Sequence, residues 1–505
     1  MPRRRAGAMA AADAAPGFDR VHCRPVVHPT FRLLVPLALA TVANAQAPLT
    51  LPKAKISRLE LIRLGVARNL DLLGKRLEAR RFEALEQAAW QTYSPSVFIG
   101  TDVATYAPAG GPLQRDRLVD GAAGVMWKAP TGTSLAASVL MTRSLGGGPA
   151  QDGLVSLSLT QPLLKNGWQT GAALPLSETA LQAAIQRETF KNDLNNFIVD
   201  LETSYWDLAM AEADRSIKTR SKDRAKQQYE DTAENIRRGI LAPVEIYVVE
   251  DNVVFFEQEL LRAEQNLRLA RRHVAEVLLL EPDAPLEAED PLTRPAFNLP
   301  DRQAALDEAL RSSPRVLEQR FRHELAATRL AFANNQALPA LDLTGSVAVA
   351  GQSSEANPSP FAGAFEPLTP DARVGLLLTV PLSRAPIRAS VENARLETEK
   401  QRLELDSRGV KVRFEIDNAL SDLDSNLKLL AFAQKQVELA ELKLAAETDK
   451  YKNGISTLAD VVRFQRDLDN ALIAFQRNIR AIHVARAKLL ASEGTLFQTV
   501  GVELR

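Results

Sequence analysis

From about Ile387 to Lys450 the chain reads as one uninterrupted helix, and the stretch that follows turns it sharply back. That stretch is Tyr451-Lys452-Asn453-Gly454-Ile455-Ser456-Thr457-Leu458-Ala459-Asp460-Val461-Val462. Asn453-Gly454 takes positive φ cheaply, which suits Gly454 to the left-handed position just past a helix end. Ser456 or Thr457 then caps the next helix, and Asp460 falls in its first turn, where a carboxylate suits the helix dipole. The result is a tight hairpin between two long helices.

The same punctuation stands about 215 residues earlier, in Arg238-Gly239-Ile240-Leu241-Ala242-Pro243-Val244-Glu245-Ile246, with Pro243 near a helix start and Glu245 aligned with Asp460. After the later turn, Val461, Phe464, Leu468, Ala471, Phe475, Ile482, Ala485 and Leu489 follow steps of three and four. Ile246, Val249, Val253, Phe256, Leu260, Leu267, Ala270 and Val274 occupy the matching places in the earlier copy. Such steps give an apolar seam with a period near 3.5, as side-by-side helices require. The shared seam points to two internal repeats.

Formal charge is balanced, 62 basic against 62 acidic residues, so no global field draws the chain to nucleic acid or acidic lipid. The apolar run Leu33 to Ala45 is too short to span a bilayer and ends Ala43-Asn44-Ala45, an Ala-x-Ala cleavage pattern. Residues 1–45 are therefore expected to be a secretory signal peptide with an unusually long basic region. Cys23 would leave with it, so the mature chain would hold no thiol, disulfide or cysteine metal ligand.

The expected order is a helix from about Ile56 to Trp90, ended by Ser94-Pro95, then a strand Val97 to Tyr106 and a loop Ala107 to Pro112. Two more strand-like pieces, 119–128 and 133–142, flank Pro130-Thr131-Gly132. Ser144 to Gly153 reads as loop, and Leu154 to Thr160 alternates apolar with hydroxyl residues before stopping at Gln161-Pro162-Leu163-Leu164. A long helix runs from about Pro175 to Arg237, a return helix from about Val244 to Leu280, and a proline-rich linker covers 282–301. The second half repeats this order, with a helix 302–334, strands Leu341–Val349 and Val374–Val380 around a long loop Gly351–Asp371, and the helical hairpin already described. The domains expected are 1–45, a first repeat 46–281, the linker 282–301 and a second repeat 302–505.

Each long helix of roughly 62 residues spans about 93 Å at 1.5 Å per residue. One return helix and one pre-strand helix stacked end to end match that length. A tall barrel of helices follows, with strands at one end and hairpin turns at the other. Alternating segments about nine residues long match transmembrane strands but are too few to close a barrel from one chain. No sheet edge stays open in lipid, so several chains must share the barrel.

The order of elements, given twice, resembles the TolC-like outer-membrane efflux proteins. The most specific marks are Gln161-Pro162-Leu163-Leu164, Tyr205-Trp206-Asp207-Leu208, and Tyr451-x-x-Gly454 with Asp460-Val461. The resemblance implies an α+β membrane protein, with long antiparallel coiled-coil helices forming a periplasmic tunnel below a shared trimeric transmembrane β-barrel of four strands per chain. Those four strands fit 97–106, 154–160, 341–349 and 374–380, leaving 119–128 and 133–142 as extras. It also implies a homotrimer in outer-membrane lipid, docked to a periplasmic adaptor (membrane fusion) protein and an inner-membrane pump of RND or ABC type. The function implied is the exit duct of a tripartite efflux or type I secretion system.

By the same resemblance Asp460 and Glu245 are candidates for an acidic ring at the tunnel mouth. Arg463 stands where some members of the family carry a second acid, so this chain departs from a doubled ring. Gly239, Gly454, Ile240 and Ile455 at the turns are the candidates for adaptor docking. Against these stand plainer readings: first-turn acids at helix starts, glycines that only end helices, and Arg463 paired with Asp460 as a latch. Trp127 and Trp168, near strand ends, fit either an interfacial aromatic belt or core packing, whereas Tyr205 and Trp206 fit packing. His273, His323 and His483 lack ligand spacing, and no phosphate loop or nucleophile–base pair stands out, so neither enzyme activity nor a metal or other cofactor is expected. Two other classes are weighed: a periplasmic or secreted coiled-coil scaffold without a channel, which would need no apolar-and-hydroxyl strands closed by prolines, and an outer-membrane enzyme or receptor with a helical extension, which would need a polar catalytic cluster.

Overall fold

The computed structural model describes residues 55–106, 116–144, 151–352 (296 and 298 excepted) and 370–502. The expected signal peptide with Cys23, the loop 107–112 and most of the loop 351–371 lie outside the described residues.

A two-residue strand β1 (Lys55–Ile56) leads into α1 (Arg58–Arg68) and α2 (Leu70–Ala89). Here the expected single helix 56–90 is corrected to two. Asn69, extended at φ −61° and ψ 119°, ends α1 and caps α2, its side chain accepting from the N–H of Leu72 at 2.9 Å. Four strands follow, β2 (Ser96–Tyr106), β3 (Asp116–Lys128), β4 (Ser134–Ser144) and β5 (Gln151–Pro162). The short α3 (Trp168–Ala172) then leads to α4 (Leu174–Arg237), α5 (Glu245–Val277) and β6 (Glu287–Ala288), which pairs in parallel with β1.

In the second half the helix expected over 302–334 is again two, α6 (Arg302–Ser312) and α7 (Pro314–Gln336). Pro314 lacks the N–H a continuing helix needs, and Ser313 ahead of it is extended. Strands β7 (Ala340–Gln352) and β8 (Asp371–Thr379) precede α8 (Ala385–Lys452), α9 (Leu458–Glu493) and α10 (Leu496–Thr499). Strand ends also shift: β5 begins inside the expected loop 144–153, and Gly351 is strand.

The pieces at 119–128 and 133–142, set aside above as extras, are full members of one antiparallel sheet of order β2-β3-β4-β5-β7-β8. Among the described residues the sheet therefore has six strands where the resemblance implied four.

The stacking inferred from lengths is visible in the pairings. The first part of α4 meets α1 and α2, with Leu201 packed over Gly65 and Lys75 reaching Asp193 at 3.2 Å. Its later part meets α5, with Lys218 to Glu259 at 3.2 Å and Lys226 to Glu257 at 3.1 Å. Likewise α8 meets α6 and α7 through Arg302–Asp417 and Gln319–Gln401, then α9 through Asn478 and the carbonyl of Leu429.

One core cluster gathers Leu61, Leu194, Leu201, Tyr205, Leu208 and Val274; the other gathers Val316, Ile416, Leu423, Ile482 and Leu489. The seam residues of α5 and α9 named from spacing are all buried or half-buried. The proline-rich stretch is packed too: Leu286 is buried, and Asp290 accepts from the Tyr205 hydroxyl at 2.7 Å.

Candidate functional site

The sheet presents two unlike faces, because side chains alternate along a strand and register carries the alternation across all six. Val97 and Ile99 of β2 share a face with Val125 of β3, Val139 of β4, Leu157 of β5, Val347 of β7 and Leu376 of β8. All of these are exposed. The opposite face carries Asp102, Asp120, Ser138, Ser156, Ser346 and Arg373, with the hydroxyls of Ser138 and Ser156 2.8 Å apart. Asp102, Asp120, Thr142 and Asp152 lie side by side in register on this polar face.

No helix among the described residues is long and apolar enough to cross a membrane. Strands of nine to thirteen residues with one apolar face are long enough. At the foot of the sheet Trp90, Trp127 and Trp168 are exposed, and Trp127 Nε1 donates to the carbonyl of Tyr93 at 3.0 Å. Three exposed indoles at one strand end suit an interfacial belt. Below them the Gln161-Pro162-Leu163-Leu164 stretch is fastened to α7: Asn166 N–H donates to Asn335 Oδ1 at 2.8 Å, and Asn335 Nδ2 to the Leu164 carbonyl at 3.2 Å.

At the other end both hairpin turns close identically. The N–H of Gly239 reaches the carbonyl of Ile236 at 2.9 Å, and that of Ile240 reaches Asn235 at 2.9 Å. The N–H of Gly454 reaches Tyr451 at 3.0 Å, and that of Ile455 reaches Lys450 at 2.9 Å. These are Schellman caps, with φ 75° at Gly239 and 71° at Gly454. A Cβ at either glycine would meet nothing within 4 Å, so the dihedral alone demands glycine. Ile240, Val244 and Tyr247 stand exposed at the first tip, and Ile455 at the second is 77% exposed.

The acids proposed for a mouth have local partners. Asp460 N–H donates to Thr457 Oγ1 at 3.2 Å, and the Thr457 hydroxyl donates back to Asp460 Oδ2 at 2.6 Å, a reciprocal cap. Arg463 Nη2 lies 3.7 Å from Asp460 Oδ1 within α9 itself, so in this chain the pair is intrahelical rather than a bridge between helices. Glu245, in the first turn of α5, lies near Tyr451 of α8: burial, and then this carboxylate, push the phenol above its usual range.

Periodicity did not reveal the polar seam that joins the hairpins. Asp469 of α9 is 1% exposed and accepts from Arg224 Nη2 of α4 at 2.8 Å. Burial pushes its carboxyl above the usual range, while the Ser221 hydroxyl and the Arg224 guanidinium pull it down. Arg466 lies 3.5 Å from Asp251 and over the Phe255 ring at 4.0 Å, and Gln465 donates to Gln228 at 2.9 Å. The signal was an acid at position 469 inside an apolar seam. Tyr205 and Trp206 are buried packing residues, the latter stacked on His483 with centroids 3.8 Å apart.

Residues 305–495 match the family profile of outer membrane efflux proteins. The nodulation protein T of Rhizobium leguminosarum bv. trifolii is 23% identical over 312 residues, covering 60% of this chain and 64% of that protein. The chain thus spans a little under two thirds of that relative. The outer membrane efflux protein BepC of Brucella suis biovar 1 (strain 1330) is 23% identical over 359 residues, 70% of this chain and 75% of BepC. The open-state crystal structure of the Neisseria gonorrhoeae MtrE outer membrane channel superposes with a TM-score of 0.61 at 16% identity, covering 87% of this chain and 89% of that one. This last likeness is one of fold.

Proposed function

We propose that the chain belongs to the TolC-like outer-membrane efflux proteins and is the exit duct of a tripartite efflux or type I secretion system. Three copies would share one β-barrel and extend it below the membrane as a tunnel of α4, α5, α8 and α9, built from the two repeats on either side of 282–301. The observation that carries this reading is the apolar sheet face, continuous over six strands and set at the far end of the long helices from the turns.

Support for copies side by side comes from α8. Leu396, Leu403 and Val410, then Phe432 and Leu439, recur at seven-residue spacing on this helix and stay exposed. That is a second apolar seam with no partner among the described residues, as a coiled-coil neighbour requires.

In this arrangement Ile240 and Ile455 stand at the tips where a periplasmic adaptor meets the duct, held outward by the caps at Gly239 and Gly454. Asp460 and Glu245 lie at the narrow end, and threefold symmetry would gather six carboxylates about one axis, attracting cations. An inner-membrane pump of RND or ABC type would supply the energy.

The decisive experiment is mild crosslinking in cells followed by copurification in detergent. An adaptor protein recovered with a trimer of this chain is the expected result. A monodisperse folded monomer by native mass spectrometry would refute the duct.

A further inference from the structure

We infer that copies of this chain join edge to edge, β8 of one against β2 of the next, to close an eighteen-stranded barrel in which the β3–β4 hairpin is wall, an arrangement resting on the trimeric duct proposed above. Every neighbouring pair in the sheet is antiparallel, and among the described residues β2 and β8 each have one side without a strand. Six is an even number, so these two edge strands run in opposite directions. The next copy's β2 therefore lies antiparallel to β8, and the contact is heterologous and closes by rotation. Ile99 on β2 and Val374 on β8, at the two edges, are each 84% exposed. An apolar sheet edge cannot stay unpaired in hydrocarbon.

The register already carries the stagger a barrel needs. The line of paired residues that begins at Ser96, the foot of β2, passes Met126, Ala136, Ser158 and Ser346 and arrives at Arg373. Arg373 stands six residues above Thr379, the foot of β8. With the feet level, six residues over the five steps from β2 to β8 make about 1.2 residues of stagger per strand. A rise of about 3.4 Å against a spacing of about 4.8 Å then tilts the strands by about 40°, within the range of closed barrels.

The β3–β4 hairpin is not a loop laid over the wall. It pairs with β2 on one side and β5 on the other along its whole length. Its turn is stitched to the rim: the N–H of Trp168 donates to the Thr131 carbonyl at 2.9 Å, and Thr133 bonds Gln161. Gly132 has φ 88°, and a Cβ there would fall 2.5 Å from the Asn166 carbonyl oxygen, so the turn and the rim are fitted to each other. Barrels of about 16–18 strands enclose an open aqueous channel, and diameter grows with strand number. The hairpin thereby widens the exit of this duct.

The test uses the full chain with Cys23→Ser, which removes its only cysteine. Ile99→Cys is combined in turn with Val374→Cys, Leu376→Cys and Leu378→Cys, all on the apolar face. Oxidation of the detergent-solubilised trimer is expected to give covalent dimers and trimers for one of the three pairs. A protein that is trimeric by native mass spectrometry yet links at none of them overturns the edge pairing. Loss of the trimer itself would instead count against the duct. Deleting Asp116–Ser144 leaves β2 and β5 antiparallel neighbours, which closes a twelve-stranded ring. The largest polyethylene glycol that enters from the outer side in planar-bilayer recordings should then fall, since roughly a third of the circumference is removed. An unchanged cutoff in a conducting deletion trimer would place the hairpin outside the wall and overturn its role.

Discussion

α4 and α8 are helices of nearly the same length, 64 and 68 residues, each following strands of the sheet and ending at a glycine turn. Their surroundings differ. α4 is enclosed by its own chain: Leu194, Ile198, Leu201, Tyr205 and Leu208 pack against α1, α2, α5 and neighbours. α8 buries Val412, Ile416, Leu420, Leu423 and Leu430, while Phe414 and Phe432 face outward, the latter 71% exposed. Periodicity therefore shows that a helix has a seam but not who fills it. For α4 the filling is intramolecular, and for α8 we propose a second copy.

The largest effect should separate these two helices. Leu201→Ala removes methyls packed over Gly65 and should cost about 2–5 kcal/mol of fold stability, read as earlier thermal unfolding by circular dichroism. Leu403→Asp with Phe432→Asp should leave the monomer's helicity intact and abolish the trimer on size exclusion and native mass spectrometry. If the double variant stays trimeric, the outward seam of α8 does not face a copy.

A smaller effect is expected at the turns, where the two hairpins agree. Gly239→Val and Gly454→Val force a β-branched residue to positive φ at a cost on the order of 1 kcal/mol or more, although space for the side chain exists. Trimers should form but fail to restore resistance in an efflux-deficient host, and Gly454→Asn should be milder because asparagine tolerates that conformation. Full function in both valine variants would remove the tips from the mechanism.

Between the helices, Asp469→Ala strips Arg224 of its buried partner. Arg224 is itself half-exposed, so the loss should be modest, about 1–2 kcal/mol. The pH dependence has a definite sign. Burial raises the native carboxyl, so the native state holds its proton more tightly than the unfolded chain does. The contribution of this group to stability therefore falls as pH rises from the ordinary carboxylate range through the raised native value. Asp469→Asn should flatten that part of a melting-temperature profile, and an unchanged profile would show that Asp469 does not titrate there.

The smallest effects belong to Asp460 and Arg463. On the ring reading, Asp460→Asn lowers cation preference in planar-bilayer recordings and leaves conductance nearly unchanged. As a latch, Asp460 and Arg463 would each raise open probability when neutralised. The intrahelical spacing of 3.7 Å favours little change from Arg463→Ala. If selectivity and opening match the parent in both variants, Asp460 is only a helix-start acid.

Much of this architecture was legible from residues alone because its signals are local. A glycine past a helix end, a threonine ahead of the next, and a period near 3.5 each act within a turn or two of chain. The hairpin turns, the long helices and the feet of the strands at Pro95 and Pro162 could therefore be read directly. Two breaks were missed although their residues were in view: Asn69 and Ser313-Pro314 interrupt runs whose apolar spacing continues across them. What the sequence could not decide is long-range. Whether 119–128 and 133–142 join a sheet depends on strands β2 and β5 lying at the right distance on either side. Asp469 meets Arg224 across 245 positions of chain, and α8 keeps an unfilled seam because no helix among the described residues packs there. Local dihedral and hydrogen-bond preferences set the elements; the partners of each face were set only when elements remote in sequence came together in space.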